Sequence, residues 1–301
     1  MEQSIKKDLL DICGKEGILF DEPLSRHTSF HIGGPADAFV CPEDEEQLAE
    51  VIGFCDRNGI PRFILGNGTN ILASDEGYRG VVIQIYRNMA GCDLKGSSVY
   101  VRAGMLLSAL SAVCAEHGLT GFEFASGIPG TLGGAVTMNA GAYGGEIKDV
   151  IAGARVYEPG RGVRDLKTEE LELGYRTSIV KHSDMIILGA RIELEHGDPA
   201  AINQRLAELK EARTSKQPLE YPSAGSTFKR PEGNFAGKLI MDAGLAGYSV
   251  GGAQVSAKHC GFVINTGGAT AADVNALIAH VVKTVEDRFG VTLEREIRSL
   301  G

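Results

Sequence analysis

The chain has 301 residues, 43% hydrophobic and 23% charged, a composition that suits a folded globular protein of two or three domains. Its 39 acidic side chains outnumber 30 basic ones for a net charge of −9, and with no Trp and 6% aromatics this argues against a broad nucleic-acid surface or a stacking platform for single strands. No run approaches the ~20 apolar residues needed to span a bilayer, and residues 1–17 alternate charge with apolar side chains instead of forming a signal-peptide core. The six cysteines (13, 41, 55, 92, 114 and 260) contain no C-x-x-C. Free thiols, no metal site, no membrane segment and a cytoplasmic location are the expectations.

Taken in chain order, residues 26–42 read as a short strand system punctuated by Gly33, Gly34 and Pro35. Leu48, Val51, Ile52 and Cys55 recur at helical spacing, with Asn58 and Gly59 ending the helix. Strands at 60–65 and 81–85 then complete a β-α-β opening. Between them lies GNGTN (66–70), which lacks the third glycine and the following helix of a dinucleotide fingerprint; no P-loop exists either. What remains is a turn able to present N–H groups and a hydroxyl to a phosphate, although plain turns look similar.

A strand at 98–103 and a helix at 106–117 lead into residues 121–145, GFEFASGIPGTLGGAVTMNAGAYGG. Eight of these 25 residues are Gly, with a single charge, Glu123. A disordered linker is richer in polar residues; glycine at this density means positive φ or a main chain pressed against a ligand. Backbone N–H groups alone can hold a phosphate there. The plainer alternative is a glycine-rich packing loop.

Strands follow at 150–157 and 185–195. Asp198 and Pro199 mark a helix start, with Ile202, Leu206 and Leu209 on one face. After a second glycine-rich region, 244–252, come a strand at 261–265 and a long helix from Thr270. Val274, Leu277, Ile278, Val281, Val282 and Val285 form its apolar stripe, and Thr270 with Asp273 suits a capping box. The end, VTLEREIRSLG, reads as a closing strand. The chain is expected to divide near 85 and 200, the first two parts sharing one ligand and the third, an α+β unit, closing over it.

A set of motifs then becomes specific: HTSFHIGGPA (27–36), LGNGTNIL (65–72), ASGIPGTLGGAVTMNAGAYG (125–144), YRTS (175–178), PSAGSTFKRP (222–231), VSAKHCGFVIN (255–265) and LEREI (293–297). In this order and over nearly the whole chain they resemble the UDP-N-acetylenolpyruvoylglucosamine reductase family of peptidoglycan precursor synthesis. The resemblance implies an α+β protein with an FAD-binding fold of the vanillyl-alcohol-oxidase/PCMH type. Its two FAD-binding subdomains would be 1–85 and 86–200. Residues 201–301 would be an α+β substrate-binding domain whose C-terminal strand returns to the flavin site.

It further implies that NADPH, as co-substrate, reduces FAD, and that the enolpyruvyl ether of a UDP-sugar is then reduced to the lactyl ether. Hydride attack on that alkene leaves negative charge in the neighbouring carboxylate, so an oxyanion must be stabilised and one proton delivered to carbon. By the family motifs Ser226 is the proton donor, Arg176 grips the substrate carboxylate, and Glu296 stabilises the intermediate. Strand alternation places Glu294 and Glu296 on the same face and cannot choose between them; the motif favours Glu296, with Glu294 in reserve.

The cofactor would contact Gly66, Asn67, Gly68, Thr69, Asn70, Ser126, Gly127, Ile128, Pro129, Gly130, Gly133 and Gly134. Lys216, Lys229 and Arg230 are the expected substrate-binding cations, Arg230 standing where many relatives carry Asn. Arg205, Lys210 and Arg213 are read as a solvated helix face; Lys258 and His259 are weaker choices. No His or Cys occurs between 61 and 75, so FAD is expected to be non-covalent. Only 50 positions separate Arg176 from Ser226, as in the family's shorter form, which has no equivalent of the longer form's lid tyrosine. No nucleic acid, membrane or obligate protein partner is expected. Other readings are a different flavin oxidase or dehydrogenase on the same fold, and a non-enzymatic nucleotide-sensing module; neither accounts for PSAGSTFK together with LEREI.

Overall fold

After the helix Gln3–Cys13, Asp44 starts the helix Glu45–Arg57 by accepting the N–H of Gln47 at 2.8 Å, and Glu45 and Glu46 lie at the positive end of its dipole. Its repeat, Leu48, Val51, Ile52 and Cys55, is fully buried. The computed structural model describes residues 1–301. A four-stranded sheet runs in the order Ile18–Pro23, Pro35–Val40, Tyr78–Gln84, Arg62–Leu65, with the last two parallel and Arg62 opposite Val81. The strands flanking the helix Glu45–Arg57 are therefore not neighbours, because Tyr78–Gln84 inserts between them.

The chain forms two compact units. One comprises Met1–Leu19, Ala38–Asn67 and Gly80–Arg213; the other comprises Phe20–Asp37, Gly68–Arg79 and Thr214–Gly301. The first contains a five-stranded antiparallel sheet in the order Gly162–Lys167, Ile151–Glu158, Ile186–Glu193, Ser98–Arg102, Cys92–Lys95. Helix Leu132–Met138 packs on its central strand, Ile186–Glu193, and buries Leu132, Ala135 and Val136. Helix Pro199–Lys216 begins as the sequence suggests, with Asp198 accepting the N–H of Ala200 at 3.2 Å, and buries Ile202 and Leu209.

In the second unit an antiparallel sheet, Ser223–Ser226, Phe262–Asn265, Ala253–Val255, Ser249–Val250, is accompanied by the long helix Ala271–Phe289. Val274, Leu277, Val281 and Val285 on that helix are completely buried among Phe30, Ile240 and Val263. Each such side chain contributes roughly 1.5–3 kcal/mol through burial. The capping box forms as expected: Thr270 Oγ1 accepts the N–H of Asp273, and the Asp273 carboxylate accepts that of Thr270. Main-chain N–H groups of Thr270 and Gly252 hold the Asp273 carboxyl below its usual pKa.

A second acceptor comes from far away in sequence. Asp75 Oδ1 and Oδ2 accept the N–H groups of Ala271 and Ala272 at 2.8 and 3.0 Å. This contact, together with the parallel pairing of Ile71–Ala73 with Arg298–Leu300, stitches residues 68–79 into the C-terminal unit. The expected closing strand is thus short. Residues 291–297 form only one bridge, Phe228 to Arg295, before Arg298–Leu300.

All six cysteines are free thiols; burial pushes Cys13 and Cys114 up to about 12 and Cys55 up to about 11. No helix is long and apolar enough to cross a membrane, and no group of three or more His, Cys, Asp or Glu is arranged to hold a metal ion.

Replacing Asp75 by Ala leaves two first-turn donors of the main core helix without that acceptor. The expected loss is about 1–2 kcal/mol, a fall in Tm of about 2–4 °C. Asp75→Asn, which keeps one oxygen, should recover part of it in a thermal melt; an unchanged Asp75→Ala melt would show that the cap is dispensable.

Candidate functional site

In the first unit the two glycine loops meet. Asn67 Nδ2 donates to the carbonyl of Pro129 at 2.7 Å, and the Gly66 carbonyl accepts from Gln84 Nε2 at 3.1 Å. A Cβ on residue 66 would lie 2.5 Å from Thr131 Oγ1, so only glycine allows this approach. The loop at 126–134 is itself pinned to residues 103–107, through Leu107 N–H to Gly130 O, Leu132 N–H to Met105 O and Gly133 N–H to Ala103 O. These bonds leave the N–H groups of Gly127, Gly130 and Thr131 with no acceptor in the chain. Free main-chain donors in a glycine-rich turn ahead of a helix form an anion cradle, as the pyrophosphate of a flavin dinucleotide requires.

Arg213 corrects the sequence reading. It does not lie on a solvated face with Arg205 and Lys210. Its side chain covers Gly127, where an added Cβ would sit 2.9 Å from Arg213 Cδ. Burial lowers its pKa, yet a guanidinium keeps its charge, so a desolvated cation stands beside the cradle. Helical spacing carried no signal for this, since the contact is made by a loop more than 80 positions away.

Arg176 lies in the same unit, in a turn whose ends, Gly174 and Thr177, exchange main-chain hydrogen bonds at 3.1 and 3.3 Å. Its φ is +56°, a left-handed conformation usually left to glycine. Arg176 Nη2 donates to the Gly141 carbonyl at 3.0 Å, its guanidinium carbon lies 5.1 Å from the centroid of Tyr175, and its own carbonyl accepts from Lys181 Nζ at 3.0 Å.

The second unit brings the other two chemistry-bearing motifs together. Ser226 ends strand Ser223–Ser226 after an irregular step in register at Gly225, whose φ is +75°. Its side chain is exposed while Thr227 beside it is buried. Thr227 is held through its N–H to Gly261 O, its hydroxyl accepting from Val263 N–H, and its carbonyl accepting from Glu296 N–H at 2.9 Å. Glu296 is tied on the other side to Asn70, whose Nδ2 donates to the Glu296 carbonyl at 3.4 Å. Asn70 O accepts from Arg298 N–H at 3.0 Å, and Gly68 O accepts from Ser29 N–H at 3.1 Å. The turn at 68–70, the serine strand and the C-terminal segment thus share one hydrogen-bonded frame, with Thr69 within it.

That frame separates the two carboxylates that alternation could not. Glu294 is ion-paired with Lys229 Nζ, and its side chain is 71% exposed. Glu296 is half-buried next to the Ser226 strand. Lys229 is thus engaged by Glu294, Arg230 stacks its guanidinium 4.0 Å over Phe235, and Lys216 is exposed at the last turn of its helix. Lys258 Nζ donates to Thr214 O at 2.9 Å. His259 Nδ1 accepts the N–H of Gly261 at 3.2 Å, and burial lowers its pKa, so it serves the loop as a neutral ring.

Residues 217–300 match the family model for the UDP-N-acetylenolpyruvoylglucosamine reductase C-terminal domain, and residues 36–164 match that of an FAD binding domain. The UDP-N-acetylenolpyruvoylglucosamine reductase of Lachnoclostridium phytofermentans is 54% identical over 100% of this chain and 98% of its own. That of Clostridium perfringens is 52% identical over 98% and 97%. Among solved structures, the UDP-N-acetylenolpyruvylglucosamine reductase of Thermus caldophilus is similar with a TM-score of 0.81, at 36% identity over 94% of this chain and 98% of that one. Phl p 4.0202, a glucose dehydrogenase, shares the fold alone, with a TM-score of 0.51 at 11% identity over 65% of this chain and 45% of that one. The fold is therefore α+β, a PCMH-type FAD-binding fold followed by the reductase C-terminal domain. With identity above one half along its whole length, the chain belongs to the UDP-N-acetylenolpyruvoylglucosamine reductase family.

Proposed function

We propose that the chain reduces UDP-N-acetylglucosamine enolpyruvate to UDP-N-acetylmuramate at the expense of NADPH, as a flavoenzyme of peptidoglycan precursor synthesis. The observation that carries this reading is the main-chain bond between Thr227 and Glu296, which ties the segment carrying the exposed Ser226 to the segment carrying the half-buried Glu296 in a chain 54% identical to a named reductase. FAD, when bound, supplies the two-electron chemistry between NADPH and the enolpyruvyl carbon. The N–H groups and side chains of Gly66, Asn67, Gly68, Thr69, Asn70, Ser126, Gly127, Ile128, Pro129, Gly130, Gly133 and Gly134 would hold it, with Arg213 as a further cation. The free donors of Gly127 and Gly130 support this assignment.

The substrate's own chemistry assigns the remaining roles. Arg176 offers a planar fork to the substrate carboxylate, where charge accumulates in the transition state. Ser226 delivers its hydroxyl proton to carbon, and Glu296 steadies the intermediate or returns the proton. Lys216, Lys229 and Arg230 serve the UDP diphosphate; Lys229 must exchange Glu294 for it. In this reading residues 1–85 and 86–200 are the FAD-binding subdomains, and 201–301 is the substrate domain. FAD is held non-covalently, and the enzyme works in the cytoplasm on small molecules, with no nucleic acid, membrane or obligate protein partner.

Under anaerobic conditions NADPH should bleach the bound flavin, and the enolpyruvyl sugar nucleotide should restore its colour. Acid precipitation should release the flavin into the supernatant; colour in the pellet would mean a covalent bond. Oxygen-dependent oxidation of an alcohol or hydroxy acid, with no response to the sugar nucleotide, would replace this reading with a different flavin oxidase.

Ser226→Ala should leave bleaching by NADPH within about twofold and slow the second half-reaction by about 10²–10⁴-fold. Equal slowing of both halves would remove Ser226 from proton delivery.

Glu296→Gln should slow the second half-reaction by about 10²-fold. Glu294→Gln, which loses only an exposed ion pair, should stay within a few fold. The reverse ranking in stopped-flow measurements would transfer the role to Glu294.

A further inference from the structure

Asn139 is a polar side chain with no exposed surface, at the end of helix Leu132–Met138, in a left-handed conformation with φ +42°. Nothing in the reaction calls on it directly, yet its carboxamide is fully engaged. Oδ1 accepts the N–H of Lys148 at 2.9 Å, which orients the amide. Nδ2 then donates to Glu146 Oε2 at 2.5 Å and to the carbonyl of Gly174 at 3.0 Å. Gly174 is the first residue of the turn that carries Arg176.

We propose that Asn139 is the positioning residue for Arg176, holding both ends of its side chain and backbone in register with the glycine-rich loop. The backbone end is held through Gly174, whose exchange of hydrogen bonds with Thr177 closes the turn around the left-handed Arg176. The guanidinium end is held through Gly141 O, which accepts from Arg176 Nη2. Gly141 pairs in register with Glu146, the carboxylate that Asn139 binds. Ser178, just after the turn, donates its hydroxyl to Thr137 O at 2.8 Å, so the same helix end anchors the segment twice.

The helix ending at Asn139 begins inside the loop whose free N–H groups form the anion cradle. A shift of the cradle would therefore be passed through one short rigid helix to the arginine turn. The chemistry also demands Asn in particular. Asp at this position would set a carboxylate against Glu146 and the Gly174 carbonyl, where only a donor fits.

This inference rests on the proposed grip of Arg176 on the substrate carboxylate. Asn139→Gly is the primary variant because glycine accepts φ +42° and loses only the carboxamide; Asn139→Asp retains the volume and the acceptor for Lys148. Both are expected to keep FAD and to be bleached by NADPH within about twofold of the unaltered enzyme. Reoxidation by UDP-N-acetylglucosamine enolpyruvate should slow by about 10–100-fold, with a raised KM, as for a reacting group displaced by about an ångström. In an Arg176→Ala background, Asn139→Gly should cause no additional loss, the signature of two residues acting as one unit.

Losses that multiply in the double variant, wild-type reoxidation by both single variants, or equal slowing of both half-reactions would overturn the inference. So would failure of both variants to fold or hold FAD, which would assign Asn139 to the scaffold. If the unaltered enzyme shows no reoxidation by the sugar nucleotide, or Arg176→Ala reoxidises normally, it is the parent reading that fails.

Discussion

One main-chain hydrogen bond, from Glu296 N–H to Thr227 O, determines where the chemistry-bearing residues of the C-terminal unit can lie. Both bonded atoms belong to the main chain. Thr227 is buried and triply bonded, so it transmits a fixed position to the exposed hydroxyl one residue earlier. Glu296 is clamped from the opposite side by Asn70, whose turn is drawn into this unit by the parallel pairing of Ile71–Ala73 with Arg298–Leu300. A serine hydroxyl is a weak acid, and its use for protonating carbon depends on orientation more than on intrinsic acidity. For the proton delivery proposed for Ser226, the frame fixes the main chain that carries the hydroxyl.

The N-terminal unit solves a different problem with a different material. Its glycines at 66 and 127 are places where a Cβ would strike Thr131 Oγ1 or the Arg213 stem. Close approach of two loops and a guanidinium leaves main-chain donors free at Gly127, Gly130 and Thr131. In a chain with a net charge of −9, binding an anionic cofactor by long-range attraction would be unfavourable. Oriented amides and one desolvated arginine act only over short distances, so the acidic surface does not weaken them.

Much of this was legible in the residues. The Thr270–Asp273 box, the Asp198–Pro199 helix start and the apolar stripe of residues 274–285 are local signals, and each formed the expected element. The strand Ile18–Pro23 was not anticipated: its burial alternates, but Leu19 faces out and Glu22 faces in, so the hydropathy of the residues does not follow it. The closing strand proved shorter than its apolar alternation suggested: only Arg298–Leu300 pairs as a strand, and residues 291–297 contribute the single bridge from Arg295 to Phe228. Glu294 and Glu296 are equivalent in any local pattern; Lys229, 65 positions away, distinguishes them. Arg213 and Asp75 were missed for the same reason. Their partners, Gly127 and the first turn of helix Ala271–Phe289, are set by the tertiary fold, and no window of sequence contains both.

Arg176 shows how local strain and distant support combine. A left-handed arginine is unfavourable in isolation by about 1–2 kcal/mol, and it persists only where its surroundings over-determine it. Here the supports are counted in bonds: Gly174 with Thr177, Lys181 to the Arg176 carbonyl, and the Asn139 amide to Gly174. Relaxing φ to the right-handed region would move the guanidinium away from Gly141 O and break the turn together. The left-handed φ and these bonds support one another, and a guanidinium held in this way suits the carboxylate-binding role proposed for Arg176. The same logic links the two units' designs. Each holds the main chain on either side of its proposed working side chain by hydrogen bonds, so the position of that side chain follows from the fold.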